Sequence, residues 1–534
     1  MKKYIFIVLV ALSANVAFAQ DFFDALRYSQ TEYGGTARSI AMGSAFGALG
    51  GDFVSASINP AGLGFYRSGE FTLSPTLNLN QMQSSYLGND ESNDKYNFNF
   101  NNLSYVATAK TGMETGIVSL AFGVGFNRLK NFNSNSFIQG YNAKTTLLNY
   151  FTDYANDAYL YVSNFDEHYE GLAWNTYLID EDPDPDVLEG IYYNDLTEYQ
   201  AYDIVDENNN VIGIGYEASG VKPHQQKNIM NQSGHLDEYL ISLGMNVNHK
   251  VYVGASFGLV DLEYRLNTHY SEIDNNNYSE YLNNYVLDTY LSESGIGVNF
   301  KAGVIFRPTK SLRLGAAFHT PTFYSISKDE YKEMTADFDQ AVGSGSDYST
   351  RWADSNDRYY EYNLETPLKI DLSAAYTIGN VALVSLDYEL VNYSGAKFRT
   401  APDDNYDYSD QNSDIGKVFT SASNVRIGGE YRLTPSFSLR AGYNIIGNPW
   451  ASTYTFSDGT SSEILNKDDS FSAYSGGFGY RQNNFFVDFA YRLNQFNYAQ
   501  KVHDIYYTNP DAGTATADIK EFNHQTTITF GFRF

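Results

Sequence analysis

GGTARSIAMGSAFGALGGDFVSASINPAGLGFY, residues 34–66, is the stretch on which the reading of the whole chain turns. It carries too few large apolar side chains to build a core and too much glycine to hold a helix throughout. A segment this rich in small residues suits close packing against other backbone. One cluster inside it, Asn59-Pro60-Ala61-Gly62, makes specific backbone demands: Pro60 fixes φ, and Asn59 is suited to hydrogen-bond its own turn. From about residue 69 the chain changes character and alternates apolar with small or polar residues to its end. A small-residue stretch followed by many alternating strands predicts a plug inside a barrel.

The alternation has period two. Val118, Leu120, Phe122, Val124 and Phe126 share one face, with Ser119, Ala121, Gly123, Gly125 and Asn127 on the other. Ile296 to Phe306 and Leu368 to Ile378 repeat the pattern. About fourteen strands are predicted, near 69–83, 96–110, 115–127, 237–247, 251–267, 294–307, 312–326, 364–378, 381–394, 423–433, 437–447, 470–481, 485–497 and 523–534. Each is close to or above the roughly 9–11 residues that cross a bilayer as a tilted strand. Short connections alternate with long ones at 84–95, 128–236, 268–293, 327–363, 395–422, 448–469 and 498–522. Tight turns at one end, long loops at the other and an even strand number mark an all-β, 14-stranded antiparallel transmembrane barrel. A soluble sandwich has no reason to sort its loops by length.

Face parity sharpens two places. Ile378 and Leu386 share the lipid face only if the turn at Gly379 has three residues, setting Ala382 opposite Ile378. The second strand changes phase near Asn101-Asn102, which predicts a bulge.

The chain opens MKKYIFIVLVALSANVAFAQ, with a charged start, a short apolar run and an Ala17-Phe18-Ala19 cleavage pattern. Residues 1–19 read as a signal peptide, 20–68 as the N-terminal hatch, and 69–534 as the barrel with a long extracellular insertion at 128–236. That insertion is too long for a simple loop and is expected to be partly helical over the outer mouth. With 47 Tyr, 36 Phe and no Cys, aromatic packing rather than disulfides must carry stability. The formal charge of −28 argues against nucleic acid and fits solvated outer loops. The eight histidines show no ligand-like spacing, so no metal, cofactor or catalytic centre is expected.

The last strand, FNHQTTITFGFRF, places His524, Thr526, Ile528, Phe530, Phe532 and Phe534 on one face. Its terminal aromatic resembles the signal read by the barrel-assembly machinery. Strand count, plug and Asn59-Pro60-Ala61 together resemble the FadL/TodX-type family of outer-membrane transporters for long-chain fatty acids and other hydrophobic compounds. The resemblance implies a monomer in the bacterial outer membrane, beside lipid and lipopolysaccharide, that passes a hydrophobic small-molecule ligand without catalysis. It implies that Asn59, Pro60, Ala61 and Gly62 belong to a movable hatch, and that Asn59→Ala lowers uptake without lowering assembly. It also implies sideways exit through a kink in the third strand, for which Gly123 and Gly125 are the candidates. Fourteen strands enclose a bore too wide for wall side chains to fill, so a plug is physically needed. Hatch glycines Gly43, Gly47, Gly50 and Gly51 are expected where backbone meets wall.

Charges in the later strands face the lumen by parity. Arg426, Arg432 and Arg440 are candidates to receive a cargo carboxylate. The competing expectation is that such charges pair with one another and with hatch residues Arg38 and Asp52. An alternative role for the same architecture is a barrel component or docking platform of a protein-secretion apparatus.

Overall fold

The computed structural model describes residues 22–157, 161–181, 192–205, 211–279, 281–339, 349–402, 405–455, 461–464, 466–503 and 515–534. The expected signal peptide lies outside them, as do residues 182–186 of the acidic run DEDPDPD at 180–186 within the expected insertion. Fourteen barrel strands follow one another around a closed wall. They are β1 (Glu70–Tyr86), β2 (Asn89–Lys110), β3 (Ile117–Asn131), β4 (His224–Val247), β5 (Val251–Ile273), β6 (Leu282–Phe306), β7 (Leu312–His319 continued by Phe323–Phe338), β8 (Arg358–Glu365 continued by Lys369–Ile378), β9 (Ala382–Asn392), β10 (Ser421–Arg432), β11 (Phe437–Ile446), β12 (Ser470–Gln482), β13 (Phe485–Lys501) and β14 (Thr516–Arg533). Each strand pairs antiparallel with the next, and β1 pairs with β14, so no edge is left open. At the seam Gly69 and Phe534 exchange a reciprocal pair of backbone hydrogen bonds at 3.0 and 3.1 Å.

The outward face carries the apolar set. Leu120, Phe122, Val124, Ile296, Phe300, Leu372 and Leu386 are all exposed, Ile296 by 59%. Aromatics crowd the rim near the short turns: Phe71, Tyr105, Phe306, Tyr431, Tyr480, Phe532 and Phe534. An apolar band of this extent with an aromatic border is stable only against lipid. The turn after Ile378 has three residues and sets Ala382 opposite Ile378, with Gly379 at φ 58°. The ladder of β1 and β2 slips by one residue, Ser74 opposing Asn102 and Pro75 opposing Phe100, so Asn101 is the bulged residue.

Two strand expectations are corrected. Residues 312–326 and 364–378 are not continuous strands. Thr320-Pro321-Thr322 interrupts β7 and Thr366-Pro367-Leu368 interrupts β8, side by side. Proline offers no N–H to a ladder. The gap is closed instead by the threonines: Phe300 N donates to Thr320 Oγ1 at 3.0 Å and Thr322 N to Thr366 Oγ1 at 2.8 Å. A 3₁₀ turn, Tyr393–Gly395, breaks the next strand at the same level before Lys397–Thr400 resumes pairing with β8.

The strands also run further outward than their periodicity shows. β4 starts at His224 and β6 at Leu282: the outer end of β4 is largely polar, and that of β6 mixes Leu282, Tyr285, Val286 and Leu287 with Asn and Asp without a period-two contrast. The insertion between β3 and β4 begins with a strand on β4 (Ser134–Ala143) and continues with two helices, Leu147–Asp157 and Glu170–Asn175. These pack Leu148, Phe151 and Leu172 onto Tyr270, Tyr285 and Met334 of the outer wall. Glu272 anchors the first helix, accepting from Thr146 Oγ1 at 2.5 Å and Leu147 N at 2.9 Å.

Candidate functional site

The lumen holds residues 22–66. Helix α1 (Phe22–Ser29) lies toward the long loops, and α2 (Ala37–Ala41), α3 (Ser55–Ile58) and a 3₁₀ helix (Pro60–Phe65) continue toward the short turns. Thr36 caps α2, its hydroxyl accepting from Ser39 N at 3.2 Å. Asn59 caps the 3₁₀ helix, accepting from Ala61 N at 3.2 Å, with Pro60 in the first turn. Asn59 is fully buried, and its Nδ2 donates to Gly47 O at 2.7 Å and reaches the wall carbonyls of Val304 and Ala316 at 3.4 Å.

The wall makes room for this cluster. A Cβ on Gly303 would stand 1.9 Å from Asn59 Oδ1, and one on Gly254 would stand 2.3 Å from the Pro60 carbonyl. Ala61 packs on Tyr252 and Ile305, and Gly62 lies where a Cβ would meet Ser55 at 2.6 Å. Of the four hatch glycines expected against the wall, Gly43 and Gly47 are there, facing Tyr443 and Asp371. Gly50 instead packs within the hatch on Phe65 and Gly62, and Gly51 has open space.

Buried charge braces the hatch. Arg426 is shared among Asp371 at 2.7 Å, Glu389 at 3.4 Å and Asp387 at 3.9 Å, while Asp387 also accepts from Gly47 N at 2.8 Å. Arg440 pairs with Glu430 at 2.7 Å and Asp488 at 2.6 Å, and hatch Arg38 reaches the same Glu430 at 3.0 Å. These pairings fill Arg426 and Arg440 with wall carboxylates, so neither stands free for a cargo carboxylate. Arg432 has no ion pair among the described residues and sits at the short-turn end. Asp52 bonds within the hatch, to Thr36 Oγ1 at 2.6 Å and Val54 N at 3.1 Å. His319 supports the hatch through Ile58 O at 2.8 Å.

The sequence did not single out the cavity between α1 and the outer wall. It has a volume of about 480 Å³ and is faced by Phe23 and Leu26 of α1 and by Phe132, Trp450, Phe471 and Phe496. Lys130 stands at its edge. Its Nζ makes only long contacts, 3.4 Å to Arg27 O and 3.5 Å to Gln30 Oε1, and has no carboxylate within 4.0 Å among the described residues. Arg27, by contrast, is bound into a buried network with Asp24, Glu293 and Lys328. The chamber joins this aromatic face to a polar rim that carries Glu32, Asp469 and Glu521 besides Lys130, a combination that accommodates an apolar chain with a polar head. The only sequence signal was Lys130 following Asn127-Arg128-Leu129 past the predicted strand end; Trp450 and Phe496 reach the chamber from loop and strand ends far apart in sequence.

Gly123 and Gly125 lie in the middle of β3, where pairing is unbroken from Ser119 to Arg128. A Cβ on Gly123 would meet hatch Phe53 at 3.1 Å. Gly125 forms part of the floor of an apolar groove on the lipid side, bordered by Leu103, Val124, Tyr239 and Ile241. Hatch and lipid-facing groove are thus separated there by little more than backbone.

Neither a known sequence family nor a curated protein matches this chain. Among solved structures it is similar to a Pseudomonas aeruginosa FadL homologue at 12% identity, covering 94% of this chain and 98% of that one with a TM-score of 0.50. The Pseudomonas putida toluene transporter TodX aligns at 12% identity over 94% and 99% with a TM-score of 0.49. The Ralstonia pickettii toluene transporter TbuX aligns at 15% identity over 94% and 99% with a TM-score of 0.45. At such identities the likeness is one of architecture, and the closed 14-stranded barrel described above has the FadL-type fold.

Proposed function

We propose that this protein is an outer-membrane channel through which a hydrophobic molecule, of the long-chain fatty acid kind, passes down its own gradient. The apolar chamber above the hatch, with Lys130 at its edge, is the observation that carries this reading. Cargo enters from the long-loop side, rests against Phe23, Trp450 and Phe496, and sets an acid head toward Lys130. Passage then requires the hatch to shift, because Asn59, Pro60 and Ala61 are seated against the wall below.

Sideways exit at β3 fits the thin wall at Gly123 and Gly125. An apolar cargo leaving there goes from Phe53 to lipid without crossing water, which avoids the cost of hydrating apolar surface. Residues 59–62 act as the latch of the hatch and Gly123–Gly125 as the yielding part of the wall.

The test is uptake of radiolabelled oleate by a Gram-negative host lacking its own fatty-acid channel, with surface levels matched by heat-modified gel mobility. Uptake above the empty-vector level, falling with Trp450→Asp, supports the reading. Uptake at the vector level, with no apolar molecule recovered by mass spectrometry from the purified protein, overturns it.

A further inference from the structure

The chain is strongly acidic overall, yet its short-turn end is basic. Six strands end there with a cation at an inward-facing position: Lys110, Arg307, Arg313, Arg432, Arg481 and Arg533. Their strand neighbours Phe306, Leu314, Tyr431, Tyr480 and Phe532 point outward, which fixes the parity. Arg67 and Arg38 add two more from the hatch side; besides Asp488, which Arg440 holds at 2.6 Å, the carboxylates beside these eight cations are three, Asp52, Glu70 and Glu430.

Those three are already engaged. Glu70 takes Arg533 at 2.6 Å and Tyr66 Oη at 3.0 Å. Glu430 takes Arg38 and Arg440, and Asp52 is held by Thr36 and Val54 N. Among the described residues, Arg67, Lys110, Arg307, Arg313, Arg432 and Arg481 have no carboxylate within 4.0 Å. The Nε atoms of Arg307 and Arg313 are buried without a partner. Like charges gathered in a semi-enclosed space repel one another, and water only partly screens them.

These groups line a vestibule of about 540 Å³ beneath the hatch, remote from the chamber at Lys130. One wall of it is apolar: Phe65 stacks on Tyr252 at 3.7 Å between ring centres, and Arg313 lies over Phe65 at 4.4 Å. Because the cations point into the bore rather than outward, the headgroups of surrounding lipid do not neutralise them.

We propose that this vestibule is a binding site for an organic carboxylate carrying an apolar tail. The carboxylate head sits among Arg313, Arg481 and Lys110, and the tail lies along Phe65 and Tyr252. Arginine suits the head because its planar fork matches a carboxylate with two parallel hydrogen bonds. The binding does not rest on the transport reading, in which the cargo leaves sideways at β3 above this vestibule.

The test uses the full-length protein in non-ionic detergent. Decanoate bearing a terminal diazirine is photolysed with it and the labelled peptides are mapped by mass spectrometry. Label is expected on the Leu63–Arg67 peptide, lost at least tenfold with the neutral decanol analogue and weakened by raising NaCl from about 50 to 500 mM. Arg313→Gln with Arg481→Gln is expected to remove that label while leaving label near Phe132 and Trp450 unchanged. Lys110→Gln, at an exposed position, is expected to weaken it several-fold and covers the case in which the double variant does not fold. Three results overturn the proposal: decanol labelling the peptide equally, label retained in folded Arg variants, or inorganic phosphate displacing the probe as well as unlabelled decanoate does. Absent oleate uptake with the vestibule label present would overturn the transport reading and leave the site standing.

Discussion

Asn59→Ala isolates the seating of the hatch from the stability of the wall. The amide makes one short bond, Nδ2 to Gly47 O at 2.7 Å, and one to Ala61 N at 3.2 Å, with two longer reaches to wall carbonyls at 3.4 Å. Alanine leaves the Gly47 carbonyl and the Ala61 N–H buried without that partner. Each such group costs about 1–3 kcal/mol, so seating weakens by about 2–6 kcal/mol. At about 1.4 kcal/mol per tenfold, the hatch opens roughly 30- to 20,000-fold more often. Hydrogen–deuterium exchange of the peptides spanning 43–65 reads that opening directly. Peptides of the paired wall, such as 296–306 and 382–392, are expected to keep their protection, since no ladder bond is touched. Oleate uptake at matched surface level is expected to fall, because a latch without its anchor no longer returns the hatch to one position. Exchange at 43–65 within twofold of the parent protein refutes the argument. So does a barrel that loses heat-modified mobility in step with the hatch, which would show that hatch and wall are one cooperative unit.

Arg426→Met leaves Asp371, Asp387 and Glu389 buried around an apolar side chain and is expected to cost about 3–5 kcal/mol, read as a lowered thermal unfolding midpoint. Gly303→Ala places a Cβ 1.9 Å from Asn59 Oδ1 and is expected to unseat the hatch more than Asn59→Ala does, by the same exchange measurement. Lys130→Met is expected to lower the affinity for decanoate about tenfold by calorimetry while leaving decanol unchanged; equal losses for both would remove Lys130 from any role with the acid head. In the outer cap, burial pushes the Glu170 carboxyl up from 4.5 to about 7, so the folded cap holds a proton that the unfolded chain has released. That proton makes the cap most stable below pH 4.5, and the advantage is lost as pH rises to about 7. Exchange in peptides 147–157 and 170–175, corrected for intrinsic rate, is expected to rise from pH 5 to pH 8 and to lose that slope in Glu170→Gln.

The membrane band was readable because period-two alternation is a direct record of lipid on one side and lumen on the other. It gave the strand number, the closed wall, the three-residue turn at Gly379 and the bulge at Asn101. It failed where that contrast ends. The outer parts of β4 and β6 face water on one side and the capped mouth on the other, so Asn228, Ser233 and Asn284 carry no signal. Pro321 and Pro367 were visible as single residues, but only the fold shows that they stand side by side. Asn59-Pro60-Ala61 alone reads as a tight turn, and only its place before the strand pattern and the family resemblance assign it to the hatch; its complement, the wall glycines at 254 and 303, lies about 200 residues away or more. Lumen charges were placed on the right face by parity, but parity does not tell which arginine lacks a partner. Arg426 and Arg440 are filled by carboxylates on neighbouring strands, whereas Lys130, Arg307, Arg313, Arg432 and Arg481 have no carboxylate within 4.0 Å among the described residues.

The prolines at 321 and 367, with the turn at 393–395, draw a crease across three neighbouring staves of the cylinder. Above it the palisade carries the loops that meet the outside world; below it the staves are gripped by the bilayer. At the crease threonine hydroxyls stand in for ladder carbonyls, accepting from Phe300 N and Thr322 N. With fewer ladder bonds than the rungs on either side, the crease is the expected place for the outer staves to bend.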